Sequence, residues 1–312
     1  TPVAIKVVRP GAARLIKADL AEARRLFARL DRVGLSRRID APALLEEFAT
    51  SLSNELDLRI EGRASDRFAH DFRDDPYVMT PRIAWSLTSR NVLTMEFVEG
   101  WRLTDLDDAT RAGVDAFRLA LHGAEVFMWQ VLVLGRYHAD LHPANLFVTP
   151  DSRICYLDFG IVGTTEPAER LSIAQVLAAT VYGDADRALR YSAELGLVVP
   201  AHKQAHVRQR VGDLMQRTLN APGKPADVKG FATGFLSVMA DARVPIPAGY
   251  GLLVKALVTV EGVARAIYPQ IDITQSAKPF ATRLIAAQMV RPDRIAERLP
   301  VAIRAAIREL AS

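Results

Sequence analysis

The chain has 312 residues, of which half are hydrophobic and 24% charged, with a formal net charge of +4 and a single cysteine. That balance excludes wholesale disorder and an internal disulfide framework, and no run of lysines concentrates the charge, which gives a nucleic-acid role little support. The length suits one large domain or two smaller lobes.

The first element is a strand, Val3-Ala4-Ile5-Lys6-Val7-Val8, closed by Pro10-Gly11. Because a strand pattern starts at once, the chain is expected to be a segment of a longer protein. Seven of the 40 basic residues are lysines, and only Lys6 and Lys17 precede Lys203. A lysine inside an apolar strand therefore stands out. Burying an ammonium is costly unless it meets an anion; the alternative is an edge-strand lysine that reaches solvent.

Ala12 to Val33 reads as a helix, with Leu15, Ile16, Leu20, Ala23, Phe27 and Leu30 at helical spacing and Gly34 at its end. Pro42 opens a second helix whose apolar line is Leu45, Phe48, Leu52, Leu56, Ile60, Ala64 and Phe68. This helix carries Glu55, Asp57 and Glu61. Asp57 and Glu61 are one turn apart and are expected on one face. Three acids so close together repel unless cations meet them. Lys6 is one candidate, and Arg59 and Arg63 are local ones on an otherwise solvated face.

Strands are expected at Tyr77 to Trp85 and at Asn91 to Val98, followed by Gly100. A long helix should then run from about Ala109 to Leu134. Its apolar stretch from Val126 to Leu134 is broken by Gln130 and falls short of the ~18 residues that cross a membrane. Two short strands, Leu146–Val148 and Ile154–Leu157, should form a hairpin around Pro150-Asp151-Ser152. Cys155 lies among apolar and aromatic neighbours and is expected to be a buried thiol. Helices follow near 167–182, 184–195, 201–219, 228–241, 248–268, 279–290 and 292–310. Strands come early and helices late, which indicates an α+β fold.

The strongest chemical signal is His138-Ala139-Asp140-Leu141-His142-Pro143-Ala144-Asn145, followed thirteen residues later by Asp158-Phe159-Gly160. The Asp140-to-Asn145 spacing is that of a protein-kinase catalytic loop. Phosphoryl transfer needs a carboxylate to orient or deprotonate the acceptor, plus a carboxylate and an amide oxygen to hold Mg²⁺ on the phosphates. Either motif alone also reads as an ordinary loop. Both at this spacing, after a long helix, favour the chemistry. Val92 to Gly100 is similar to the strand and hinge joining two kinase lobes, with Met95 as gatekeeper. The Glu96 carbonyl and Val98 N–H would then face adenine. A plain core strand ending in a turn fits the same residues.

Taken together, Val3 to Gly11, Glu55-Leu56-Asp57 with Glu61, the catalytic loop, Asp158-Phe159-Gly160, and Val254 to Leu257 with Glu261-Gly262-Val263 resemble the UbiB/AarF family of atypical kinase-like proteins. The resemblance implies a protein-kinase-like, two-lobed fold, with a partial N-lobe over residues 1–99 and a helical C-lobe over 100–312. It implies ATP and Mg²⁺ as cofactors and kinase-like or ATPase activity. Asp140, Lys6 and Glu61 would be catalytic. Lys6, Ala4, Glu96, Val98, Glu55 and Asp57 would line the nucleotide, and Asn145 and Asp158 would bind the metal.

The family is tied to ubiquinone and other prenyl-lipid metabolism. Prenyl lipid or a membrane surface is thus an implied partner, nucleic acid is not, and a homo-oligomer is left open. The implied location is cytoplasmic, with peripheral membrane attachment as the variant. In the family, K-x-G-Q helices and an Ala-rich nucleotide loop precede the lysine strand and membrane helices follow the helical lobe; none of these is read within the 312 residues. The tail from Arg291 to Ser312 carries Ile295, Leu299, Ile303, Ile307 and Leu310 as one stripe, with five arginines elsewhere. Such a helix packs on its own domain or lies on an anionic membrane. Two other readings stay open: a small-molecule phosphotransferase of the aminoglycoside- or choline-kinase type, to which His142-Pro143 is well suited, and a non-catalytic nucleotide-sensing scaffold.

Overall fold

The computed structural model describes residues 2–32, 56–111, 113–275, 277–278, 280 and 282–283. Its contacts divide the chain into two compact units, Thr1–Val114 with Pro143–Val162, and Asp115–His142 with Gly163–Ser312. The boundary near Glu99 read from the sequence falls inside the first unit.

In the first unit, the β-branched residues of β1 (Val3–Val7) form an antiparallel pair with β3 (Val92–Glu96), with Ala4 opposite Met95 and Lys6 opposite Leu93. The period of two sends alternate side chains to opposite faces. Val3, Ile5 and Val7 are exposed, while Ala4 and Val8 pack on a small core of Leu58, Leu93 and Met95. Lys6 shares their parity and therefore their face. Gly11, at φ +85°, makes the turn into α1 (Ala12–Arg32).

The second expected helix is described only as α2 (Leu58–Asp71). Its first apolar positions, Leu45, Phe48 and Leu52, lie outside the described residues, as does Glu55. Asp57 is the N-cap of α2 and not a member of a helical face with Glu61: its carboxylate accepts the Arg59 N–H at 3.1 Å. Asp is favoured there because it satisfies an N–H that has no partner within the helix. Gly62 lets α2 approach β3, since an added Cβ would lie 3.1 Å from both Leu93 and Trp85.

The strand expected over Tyr77 to Trp85 shrinks to β2 (Val78–Met79), and Trp85–Leu87 is a 3₁₀ turn. Pro81 lacks an N–H and interrupts the ladder. Strands β2, β7 (Ile154–Tyr156), β6 (Leu146–Val148) and β4 (Trp101–Arg102) form a four-stranded sheet in that order. The hairpin of β6 and β7 is antiparallel, with Phe147 opposite Cys155. Cys155 is fully buried, and burial pushes its thiol up to about 12. Helix α3 (Leu106–Arg111) closes this part of the chain.

The long helix expected from Ala109 to Leu134 is broken near its start. Gly113 adopts φ +96°, and Asp115 caps a new helix, α4 (Ala116–Trp129), by accepting the Arg118 N–H at 3.0 Å. The chain continues as a π-helical turn over Gln130–Leu134 and stops at Gly135, φ +70°. The 19 residues Ala116–Leu134 are long and apolar enough to cross a membrane, although no single apolar run within them is, and 56% of the stretch is buried. That burial is what a core helix of a folded unit shows.

Among the described residues, the second unit adds β5 (Arg136–His138) and five further helices. These are α5 (Pro167–Val181), α6 (Ala185–Glu194), α7 (Gln204–Thr218), α8 (Val228–Ala242) and α9 (Ala248–Ile267). Strand β8 (Val162–Thr164) pairs with β5. Val207, Val211 and Met215 of α7 interlock with Val238 and Met239 of α8. Glu261, only 2% exposed, accepts the N–H groups of Val228 and Lys229 at the start of α8 and pairs with Arg265 at 3.0 Å. A carboxylate there meets the positive end of the helix dipole and two otherwise unpaired donors. The helices expected near 279–290 and 292–310, and the arginine-rich tail, fall almost wholly outside the described residues.

Candidate active site

Lys6 reaches across the first unit from β1 to α2. Its ammonium lies 2.7 and 2.9 Å from the two carboxylate oxygens of Glu61 and 3.0 Å from Asp158 Oδ2. The strand's alternation aims Lys6 inward. Leu58 sets the depth of α2, and Glu61, one turn on, meets the ammonium. Glu61 is 6% exposed, whereas the Lys6 side chain keeps 39% of its surface. Burial pulls the Lys6 ammonium downward, but Glu61 and then Asp158 outweigh it, and the net direction is up. Burial also raises Glu61; Lys6 opposes this, Asp158 adds to it, and the backbone N–H of Phe159 opposes it. One cation therefore serves two carboxylates.

Asp158 is held from its other side as well, since its Oδ1 accepts the Gly160 N–H at 2.8 Å. Phe159 anchors the same turn, its ring 5.2 Å from Phe68, which also lies 4.7 Å from Tyr156 at a tilt. Such pairs contribute about 1 kcal/mol each beyond area burial. The aromatic cluster thus couples the Asp158 turn to the helix that carries Glu61.

Asn145 directly precedes β6, and Asp158 follows β7 by two residues. The Leu157 N–H donates to the Asn145 carbonyl at 3.0 Å, so the hairpin brings the two residues to one end. Their amide and carboxylate oxygens are hard donors of the kind Mg²⁺ accepts. Mg²⁺ is commonly bound through only one or two carboxylates, with substrate phosphates and water completing the octahedron. No cluster of three or more His, Cys, Asp or Glu suited to a metal exists among the described residues. Such a pair would suit a Mg²⁺ that also takes phosphate and water oxygens.

Asp140 belongs to the second unit. Its loop is anchored by Ala139 and Leu141, both buried, while Asp140 is exposed. The His138 N–H donates to Gln130 Oε1 at 2.9 Å, and the Asp140 N–H donates to His138 Nδ1 at 3.2 Å. The Asp140 carboxylate accepts from Lys255 Nζ of α9 at 2.7 Å, with both side chains 53% exposed.

Two residues here escaped the sequence reading. Gln130 was visible only as an interruption of an apolar run, yet its buried amide fixes the start of the loop. Lys255 was visible only as part of a family-like stretch. The π turn that contains Gln130 also frees backbone carbonyls, and Arg170 donates to that of Val133 at 2.9 Å. A Cβ at Gly135 would collide with the Arg170 guanidinium.

The remaining expected site residues divide. Ala4 lies on the Lys6 face of β1. Glu96 ends β3 with its carboxylate 3.3 Å from Arg82, and Val98 follows two residues later. Gly100 passes so close to Val148 that an added Cβ would lie 2.5 Å from its carbonyl oxygen. Asp57 turns to Arg59, at 2.6 Å, and not to Lys6; that guanidinium holds its carboxyl well below the usual range, at about 2.

A family model described as the ABC1 atypical kinase-like domain matches residues 1–192, and one described as the UbiB helical domain matches 211–272. The chain is 31% identical to the uncharacterized protein sll0005 of Synechocystis sp., over 92% of this chain and 42% of that protein. It is 30% identical to the protein ACTIVITY OF BC1 COMPLEX KINASE 8, chloroplastic, of Arabidopsis thaliana, over 91% and 42% respectively. It is 31% identical to the probable protein kinase UbiB of Cellvibrio japonicus, over 90% and 52%. The chain spans about half the length of these relatives. Among solved structures it resembles Rv3197 of Mycobacterium tuberculosis, determined with erythromycin, at a TM-score of 0.54 and 20% identity over 85% of this chain and 67% of that one. That last likeness concerns the fold alone.

Proposed function

The chain belongs to the ABC1 atypical kinase-like family and has its α+β, kinase-like fold, and from that premise we propose that it binds Mg²⁺-ATP and transfers or hydrolyses the terminal phosphoryl group. The observation that carries the proposal is the ammonium of Lys6 shared between Glu61 and Asp158. Phosphoryl transfer asks little covalent chemistry of a protein and depends on positioning and charge.

Lys6 supplies a positive charge to the phosphates. Glu61 holds that ammonium in place, from a helix tied to the Asp158 turn by Phe68 and Phe159. Asn145 and Asp158 would hold Mg²⁺, which when bound neutralises charge on the phosphate oxygens. Asp140, on its spacing to Asn145, accepts the proton of the attacking hydroxyl or water. Ala4 and the backbone at Glu96 and Val98 line the base. Glu55, outside the described residues, and Asp57 are assigned nearby on family resemblance. Because UbiB relatives bear their name, the activity is further proposed to serve ubiquinone or other prenyl-lipid metabolism, at or near a membrane surface.

The test is thermal melting with and without Mg²⁺-ATP, paired with ATP hydrolysis. The wild type should melt higher with nucleotide by mass action, and Lys6→Met and Asp158→Asn should lose both the shift and turnover. An Asp158→Asn protein that hydrolyses ATP at the wild-type rate removes the proposal. The His142-Pro143 pair favours a second reading, phosphorylation of a small alcohol. Faster ATP consumption on adding an amino alcohol or amino sugar would select it.

A further inference from the structure

Within the second unit, helices α4, α5, α6, α8 and α9 line a partly open cavity of about 210 Å³. Its wall is aliphatic and aromatic almost throughout. Four hydroxyl side chains contribute: Thr180, Ser192, Tyr250 and Thr274. Three of these are already committed. Ser192 donates to the Ala188 carbonyl at 2.7 Å, Tyr250 to Glu169 Oε1 at 2.7 Å, and Thr274 to Asp272 Oδ1 at 2.6 Å.

A water molecule in a cavity needs two to four polar partners, and a wholly apolar cavity of about 150 Å³ stays dry and admits benzene. The cavity in this unit is larger and offers water almost nothing. Small side chains on three of its helices, Ala124 of α4, Ala188 of α6 and Ala232 of α8, keep it open. The neighbouring contact between α7 and α8, by contrast, is filled by Val211, Met215 and Met239, none measurably exposed. A void left empty forfeits dispersion contacts along its whole lining, so an apolar occupant is favoured over none.

We propose that this cavity is a binding site for a hydrocarbon chain, that of a free fatty acid or of a membrane lipid. With three of its four hydroxyls engaged, the wall has little to orient a headgroup. Leucine and valine dominate the lining, and their branched side chains suit a flexible aliphatic chain. Recognition is then by apolar burial alone. The site does not depend on the phosphoryl-transfer reading and would stand if that reading fell.

The experiment is thermal melting of the whole chain with lauric acid below its micelle concentration, with acetate as the headgroup control. Lauric acid should produce a saturable rise, roughly 5 °C at a concentration about a hundred times its Kd, and acetate none. Ala232→Phe and, separately, Ala124→Leu should melt no lower than wild type and lose the response. Benzene, as a competitor on the unaltered protein, should suppress the lauric acid shift whether or not the filled variants fold. The absence of a saturable shift in the wild type, a shift undiminished in both filled variants, or one that benzene leaves untouched would overturn the proposal. Co-sedimentation of the wild type, but not Ala232→Phe, with phosphatidylcholine vesicles assigns the chain to a membrane lipid. A lauric acid response without vesicle binding assigns it to a free fatty acid.

Discussion

Two lysines in this protein meet carboxylates at the same distance, 2.7 Å, in different surroundings. Lys6 meets Glu61, whose side chain is 7% exposed, and shares its charge with Asp158; Lys255 meets Asp140 with both partners 53% exposed. Distance alone therefore says little about what an ion pair does. An exposed pair gains modest Coulomb energy, pays side-chain entropy and is screened by salt. A buried carboxylate that loses its cation keeps its desolvation penalty. The first cluster is tied to the fold of its unit, and the second is free to act as a positioning contact on a surface loop.

The largest effect that would sharpen this contrast is on catalysis. Asp158→Asn should lower single-turnover ATP hydrolysis by about a hundredfold or more, the scale set by removing one preorganised charge from a phosphoryl or oxyanion site. Next comes stability. Lys6→Met leaves Glu61 buried and unpaired and should cost about 1–3 kcal/mol in urea unfolding, a figure held down because Lys6 itself is over a third exposed.

The pH dependence of that loss has a definite sign. Lys6 is raised in the folded state, so its contribution is complete below the ordinary lysine value near 10.4 and fades as pH climbs through the higher folded value. The gap between wild type and Lys6→Met should narrow in that alkaline window. A gap independent of pH would break the assignment to charge.

Asp57→Ala removes the cap of α2 and should cost about 1 kcal/mol. Asp57→Asn keeps the cap and isolates the charge. The Asp57 carboxyl is lowered, to about 2, so the benefit of its charge is present above the usual aspartate value near 3.9 and is lost as pH falls toward 2. Wild type and Asp57→Asn should converge over that range.

The smallest effect is expected at Lys255. Lys255→Met should change unfolding free energy by no more than about 1 kcal/mol. A loss above about 3 kcal/mol in the same urea measurement would erase the distinction between the two pairs.

Much of the fold was legible in the chain. The alternation of Val3 to Val8, the hairpin of β6 and β7 and the spans of α6 to α9 follow from local periodicity, and Pro167 marks the start of α5. Lys6, Glu61, Asn145 and Asp158 were legible because each breaks a local expectation or sits at a recognisable spacing. The errors arose where a local choice competes with a longer pattern. Helical spacing runs through Asp115 without a break, yet Gly113 and the Asp115 cap split the helix. Asp57 shares helical spacing with Glu61, but its short carboxylate captures the first free N–H of α2. Gln130 looked like a flaw in an apolar stretch because nothing local shows that its amide will meet the backbone of His138.

By itself the sequence determined which residues could carry charge chemistry and where strands and helices would form, because propensity, periodicity and motif spacing are properties of neighbours along the chain. Tertiary structure alone decided that Lys6 serves Glu61 and Asp158 together, that Lys255 pairs with Asp140, and that five helices leave an apolar space between them. Those outcomes depend on burial and on contacts between residues far apart in the chain, 152 positions for Lys6 and Asp158 and 115 for Lys255 and Asp140. Only the packed unit sets the dielectric, the partner and the room each of these groups meets.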